Sequence, residues 1–275
     1  RNTSVYEYAF ENCTSLKTAY VNESCFRYAY AGSCIKNVEF VRDRELVLSE
    51  GLFSGTPLES ITLPNNIDYL SDKVFYNCKQ LKKAVLNEGL SYLFKYCFYG
   101  CEKLEEIDIP KTVRSIGDGA FSHCYALKKV TMHEGSLYYI SKNSFDSCIN
   151  LEEISIPDCA GTIFDMAFND CRNLKSVKLG KGLKLISSYA FLGCENLREI
   201  VIPKTVTTVC NNAFDSRYIK KITIIRDRAL KTGNKNDERA YQNWLTKDNR
   251  ANVTIKIGII HVIILFCCAP RPSTV

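Results

Sequence analysis

Apolar residues recur along most of this chain in one phrase, Ala-Phe-x-x-Cys-x-x-Leu-x-x-Ile-x-Ile-Pro-x-x-Val-x-x-Ile. The clearest copy starts at Phe98 and runs through Cys101, Leu104, Ile107, Ile109, Pro110, Val113 and Ile116 before Ala120 and Phe121 open the next. The opening aromatic falls at Phe10, Tyr30, Phe53, Phe75, Phe98, Phe121, Phe145, Phe168, Phe191 and Phe214, mostly 23 residues apart, with intervals of 20, 22 and 24 as exceptions. An apolar frame travels with it: Leu16, Leu81, Leu104, Leu127, Leu151, Leu174 or Leu197, followed three places on by Ala19, Ala84, Ile107, Val130, Ile154, Val177 or Ile200. The copies at Tyr30, Phe53 and Phe214 are one loop residue shorter, and their frame resumes early as Ile35 and Val38, Leu58 and Ile61, Ile219 and Ile222. A unit this short cannot bury its own apolar side, so successive units must bury it against each other.

The Leu-x-x-Ile-x-Ile segment alternates apolar and polar at its end, which predicts one strand per copy. Parallel strands from successive copies would lie about 4.8 Å apart, so ten copies give a sheet on the order of 50 Å long. Pro64, Pro110, Pro157 and Pro203 follow several of these strands and end them, because proline has no N–H to give a ladder.

Two residues separate the Leu from the Ile in each copy and should lie at or near the open face of that sheet. Down the stack they read Lys17–Thr18, Lys36–Asn37, Glu59–Ser60, Lys82–Lys83, Glu105–Glu106, Lys128–Lys129, Glu152–Glu153, Lys175–Ser176, Arg198–Glu199 and Lys220–Lys221. From Glu59 to Lys175 the sign changes with every copy, so neighbouring strands place opposite charges side by side, a favourable cross-strand arrangement. One strand position further lie Tyr20, Glu39, Thr62, Asp108, Thr131, Ser155, Lys178 and Thr223. The candidate protein-binding surface is this strand face, centred on Lys82, Lys83, Glu105, Glu106, Asp108, Lys128, Lys129, Thr131, Glu152, Glu153, Ser155, Lys175 and Lys178. The same alternation also serves to keep a regular stack soluble and in register.

The repeated phrase resembles the BspA-type leucine-rich repeat, over about residues 1–225. The resemblance implies an α/β or mostly β solenoid, a right-handed coil of about ten 23-residue repeats with a parallel strand in each. It also implies a non-catalytic protein-binding module, part of a cell-surface or secreted adhesin whose partner is a host, matrix or other surface protein. The alternative is an intracellular scaffold or regulatory repeat protein.

Fourteen cysteines would suggest a disulfide framework in a small secreted domain. Here seven of them, Cys13, Cys78, Cys101, Cys124, Cys148, Cys171 and Cys194, stand three residues after the aromatic. A position repeated once per coil forms a ladder of parallel side chains about 4.8 Å apart, poorly placed for the converging Cβ atoms that a disulfide needs. The ladder therefore reads as buried free thiols whose S–H can meet a loop carbonyl. Cys25 and Cys97 take core places, while Cys159 and Cys210 lie off the frame. His123 beside Cys124 looks like a nucleophile pair, but Cys124 is the ladder residue. Tyr92, Tyr96, Tyr99, Tyr125, Tyr138, Tyr139 and Tyr189 fall off the core frame, in turns or on the back wall.

The ends differ from the repeat. Residues 226–257 read as a C-terminal cap: Asn236 or Asp237 would start a short helix through about Thr246, with Tyr241, Trp244 and Leu245 on one face, and Val253–Ile257 alternates like one more strand of the same sheet. Residues 258–275 form an apolar tail. It is short of the roughly 20 residues a spanning helix needs, which leaves an added packed strand or short helix, a membrane-proximal stub, or a segment outside the fold. The chain opens at Arg1 inside a coil, with Val5 already in frame, and reads as a piece of something longer.

Composition narrows the function. The chain is 46% apolar and 24% charged, which is that of a folded protein. A net charge of +6 spread over an alternating face is unlike the single-sign stripe that nucleic acid requires. There are three histidines and no HExxH, GxSxG, phosphate loop or Cys-x-x-Cys, so catalysis, cofactors, metals and small-molecule substrates find no support.

Overall fold

In the computed structural model, residues 6–21, 24–40, 46–210, 212–215, 217–226, 252–257 and 260–264 are described. They form a parallel-strand β-solenoid, and among them there is no helix. Each turn contributes one longer strand and one of two residues. The longer strands are β1 (Thr18–Val21), β3 (Asn37–Phe40), β5 (Ser60–Thr62), β7 (Lys83–Val85), β9 (Glu106–Ile109), β11 (Lys129–Met132), β13 (Glu153–Ser155), β15 (Ser176–Lys178), β17 (Glu199–Ile202) and β19 (Lys221–Arg226). The short strands run from β2 (Ser24–Cys25) to β18 (Thr208–Val209) and form one continuous nine-stranded sheet, so the stack has about nine turns. The longer strands form a wall in three stretches, of which β5 to β15 is the longest at six strands.

Register keeps equivalent positions in line. Lys129 on β11 sits opposite Glu106 on β9 and Glu153 on β13, and Lys83 on β7 opposite Glu106. The short-strand wall is equally regular: Ser115 on β10 (Ser115–Ile116) lies between Tyr92 on β8 (Tyr92–Leu93) and Tyr139 on β12 (Tyr139–Ile140). The second wall leaves no signal in the sequence, because two residues are too few to show a period-two pattern.

Between the walls the frame residues form one core. Phe53, Phe75, Phe98, Phe121, Phe145, Phe168 and Phe191 are fully buried. From Phe10 through Tyr30 to Phe214 the rings stack face to face, with centroids 5.1–5.8 Å apart. From Phe10 to Phe191, the turn carrying each ring bends through two left-handed residues, one two places before the aromatic and one two places after. The earlier site is filled by Tyr28, Lys73, Tyr96 and Met166, among others, and the later one by Asn77, Gly100, His123, Ser147, Asp170 and Gly193, all with φ between 54° and 71°. The enrichment of Gly, Asn and Asp at the later site follows from this, since these residues tolerate that conformation best.

Beyond the repeats, two further strands are described. The strand expected over Val253–Ile257 is β20 (Asn252–Ile257), parallel to β19. Within the apolar tail, β21 (Ile260–Ile264) pairs antiparallel with β20, and the rest of that tail lies outside the described residues. The short helix expected between Asn236 and Thr246 lies outside the described residues. No helix among the described residues is long and apolar enough to cross a membrane.

Candidate protein-binding face and its surroundings

The outer face of the β5–β15 wall carries the charged residues singled out above. Alternation turns Ala84, Ile107, Val130, Ile154 and Val177 inward and buries them, and so directs their neighbours outward. Lys82, Lys83, Glu105, Glu106, Asp108, Lys128, Lys129, Glu152, Glu153, Ser155, Lys175 and Lys178 are exposed, and Thr131 is half-buried. Thr223, expected on the same face, is instead buried, on a strand flanked by β17 and β20.

Some of the expected cross-strand pairs form. Lys82 Nζ lies 3.0 Å from Glu59 Oε2, Lys175 Nζ 2.8 Å from Glu152 Oε2, and Lys221 Nζ 3.3 Å from Glu199 Oε2. The hydrogen bond from Lys82, and then its charge, holds the Glu59 carboxyl below its ordinary value, and Lys175 does the same for Glu152. The middle of the face differs. Lys83, Glu105, Glu106, Lys128, Lys129 and Glu153 make no ion pair with another described residue, although their strands are in register.

Five of these predicted residues come together around a recess of about 250 Å³, lined by Lys83, Glu106, Asp108, Lys129 and Thr131 with Val85 and Pro110 among its apolar wall. The other candidates lie on neighbouring rows of the same face, outside the recess. Val85 is 40% exposed in a column otherwise held mostly by polar residues. His133 was also missed: its Nε2 lies 2.7 Å from Asp108 Oδ1 at the edge of this face. The signal for Val85 was present, as an apolar residue at the outward position of the Phe75 copy.

A second set of charges lies on the other side of the molecule. Just beyond the short strands, Asp72, Lys95, Asp118, Lys142 and Asp165 alternate in sign from coil to coil. Lys95 Nζ lies 3.7 Å from Asp118 Oδ2. Aromatic rings stand near it, with Phe94, Tyr139 and Phe164 each 39% exposed and Tyr138 61%. On a third side Tyr76, Tyr99, His123 and Tyr125 form a run of ring contacts.

The thiols behave as the ladder geometry requires. Cys78, Cys101, Cys124, Cys148, Cys171 and Cys194 are buried and free. Each donates its S–H to the carbonyl of the aromatic one coil earlier, Phe53, Phe75, Phe98, Phe121, Phe145 and Phe168 in turn, at 3.0–3.3 Å. Ser33 and Thr56 hold the ladder place in two of the three shortened coils, those of Tyr30 and Phe53, and bond instead to the aromatic carbonyl of their own coil. Burial pushes the Cys78 thiol up to about 12 and raises the others too. Cys25 and Cys97 are buried, while Cys13, Cys159 and Cys210 are half-buried.

The neighbouring His123 and Cys124 do not cooperate. Cys124 faces the Phe98 carbonyl, whereas the His123 ring packs on Tyr99 and its Nδ1 lies 2.7 Å from Ser122 Oγ. Ser122 also reaches Asp146, at 3.3 Å, but the hydroxyl stands between acid and imidazole, so the imidazole is not oriented by the acid as a nucleophile's base would be. Among the described residues no group of three or more His, Cys, Asp or Glu could hold a metal ion.

Comparison with known proteins places this geometry. The model of the BspA-type leucine-rich-repeat region matches six copies, over residues 1–47, 46–174 and 126–233. A leucine-rich repeat protein from Eubacterium ventriosum has a similar structure, with a TM-score of 0.54 at 21% identity over 78% of this chain and 80% of that one. The pneumococcal vaccine antigen PcpA is also similar, with a TM-score of 0.54 at 18% identity over 94% of this chain and 85% of that one. No curated protein matches the chain in sequence. These two structural likenesses show the fold, and the repeat match over residues 1–233 shows the family: the chain belongs to the BspA-type leucine-rich repeat proteins.

Proposed function

We propose that this chain is a non-catalytic binding module that holds a protein partner against the outer face of its longer-strand wall, as part of a cell-surface or secreted adhesin. The observation that carries this reading is the recess around Val85. Its lining combines the exposed apolar Val85 with Lys83, Glu106 and Lys129, three charged side chains without ion-pair partners among the described residues. An apolar anchor inside a polar rim is how protein interfaces concentrate their binding energy. The similarity to a vaccine antigen supports exposure at a surface. The cysteine content does not oppose it, since buried thiols that are kept protonated are poor reactants in an oxidising environment.

The test is surface plasmon resonance of the chain against a panel of immobilised matrix and plasma proteins at physiological salt. Saturable binding to a member of the panel is expected. Lys128→Glu with Lys129→Glu should weaken that binding at least tenfold, while leaving the melting temperature within a few degrees. Undiminished binding by the folded double variant would move the contact to another side of the stack.

A further inference from the structure

We propose that this face takes a partner segment in the polyproline-II conformation, laid along the stack and across the strands, with a carboxylate at every third residue. The inference rests on the face being the contact surface. It adds the conformation, direction and charge of what is held there.

The argument is one of matched periods. Basic rows stand on alternate coils: Lys82 and Lys83 at β7, Lys128 and Lys129 at β11, Lys175 and Lys178 at β15, of which Lys82 and Lys175 already pair with Glu59 and Glu152. Two strand spacings place these rows about 9.6 Å apart. A polyproline-II helix has three residues per turn and advances about 9.3 Å per turn, so every third side chain faces the same way at nearly that interval. Over the three rows the wall advances about 19.2 Å and six residues of such a segment about 18.6 Å, a mismatch well under 1 Å. An α-helix using residues i, i+7 and i+14 advances about 21 Å and drifts by about 2 Å. An extended β-strand fails differently, because a three-residue step turns the side chain to the opposite face.

Charge selects the sign and the register. Lys83, Lys128 and Lys129 make no ion pair with another described residue and are available to a carboxylate. The chain's net charge of +6 draws an acidic partner toward it. Between the basic rows stand Glu105 with Glu106 and Glu152 with Glu153, so a carboxylate placed out of step meets another carboxylate and is rejected. The recess between Lys83 and Lys129, walled by Val85 and Pro110, offers apolar contact to a neutral ring carried between two acids.

The experiment uses fluorescein-labelled nonapeptides and anisotropy titration with the whole chain at low salt. Three Glu-Pro-Pro repeats should bind at least tenfold more tightly than an isomer with its three glutamates adjacent and its six prolines following, and more tightly than three Arg-Pro-Pro repeats. Lys128→Gln with Lys129→Gln should remove most of that binding, while Lys95→Gln with Lys142→Gln, on the opposite wall, should leave it unchanged. Equal binding of the two glutamate peptides, preference for the arginine peptide, or no binding at all overturns the proposal. If the peptides fail while the Lys128→Glu and Lys129→Glu variant still abolishes binding to a panel protein, the face remains the contact surface and only the periodic match falls. If panel binding also ignores that variant, both readings fall.

Discussion

At the residue scale, the ladder position shows why a small side chain with a hydrogen to donate recurs there. The aromatic carbonyl of one coil points at the next, and the longer reach of sulfur lets Cys124 satisfy Phe98 across the gap. Cys124→Ala removes the donor and leaves a small void, and should cost about 1–2 kcal/mol in urea unfolding, with Cys124→Ser costing less. The same burial makes stability depend on alkali. A thiol whose value is raised on folding contributes its full stability below about pH 9, where the unfolded thiol is still protonated. That contribution is lost as pH climbs toward about 12, the folded value for Cys78. The unfolding free energy read from urea titration should therefore fall steeply above pH 9, by about 1 kcal/mol per ladder thiol per pH unit. At pH 8 an aromatic disulfide reagent should label half-buried Cys13, Cys34, Cys159 and Cys210 first, and the ladder thiols at the rate of unfolding. An even uptake across all of them would contradict the packing. Backbone strain sits two places beyond the ring. Ser147 has φ 59° there, whereas Gly100 and Gly193 hold the same place in other coils, so Ser147→Gly should raise stability by about 0.5–1 kcal/mol in the same assay.

At the scale of the element, the ring column does most to hold coil to coil. Phe121 is fully buried and stacks on Phe98 and on Phe145 at 5.3 Å. Phe121→Ala should lose about 3–5 kcal/mol, read from urea or thermal unfolding, and a loss below 1 kcal/mol would show that the neighbouring coils close the gap. This element was legible in the sequence because ten aromatics in phase leave little other meaning, and the thiol ladder and the longer strands followed from the same frame. The short-strand wall was not legible. Tyr92–Leu93 or Tyr139–Ile140 shows only one inward residue, and a pair has no period. The alternation of Asp72, Lys95, Asp118, Lys142 and Asp165 went unread for a related reason, since it becomes a row only once those strands are known to pair. Within the candidate face, sequence placed the charged rows on one surface. It could not show which would pair: Lys82 finds Glu59, while Lys128 and Lys129 pair with no described residue, a choice made by side-chain rotamers rather than by register.

At the scale of the whole molecule, each coil touches the coil before and the coil after. Contacts therefore run in one dimension, and the wall presents the same chemistry again every second coil. On the proposed reading, that repetition would let a long partner be held by many weak, equivalent contacts. The loop and strand hydrogen bonds join successive coils in opposite senses: the Phe98 N–H donates forward to the Ala120 carbonyl, while the Glu105 N–H donates back to the Lys82 carbonyl. Every coil is thus latched to its neighbour on two sides by the same set of bonds. A pull applied at the two ends of the chain would open these latches singly, beginning at a terminal coil. Each release would free 23 residues, about 75 Å of chain once the lost coil height is subtracted. Built this way, a module that tethers a partner under flow would lengthen in equal steps and absorb a sudden load without letting go of what the remaining coils still hold.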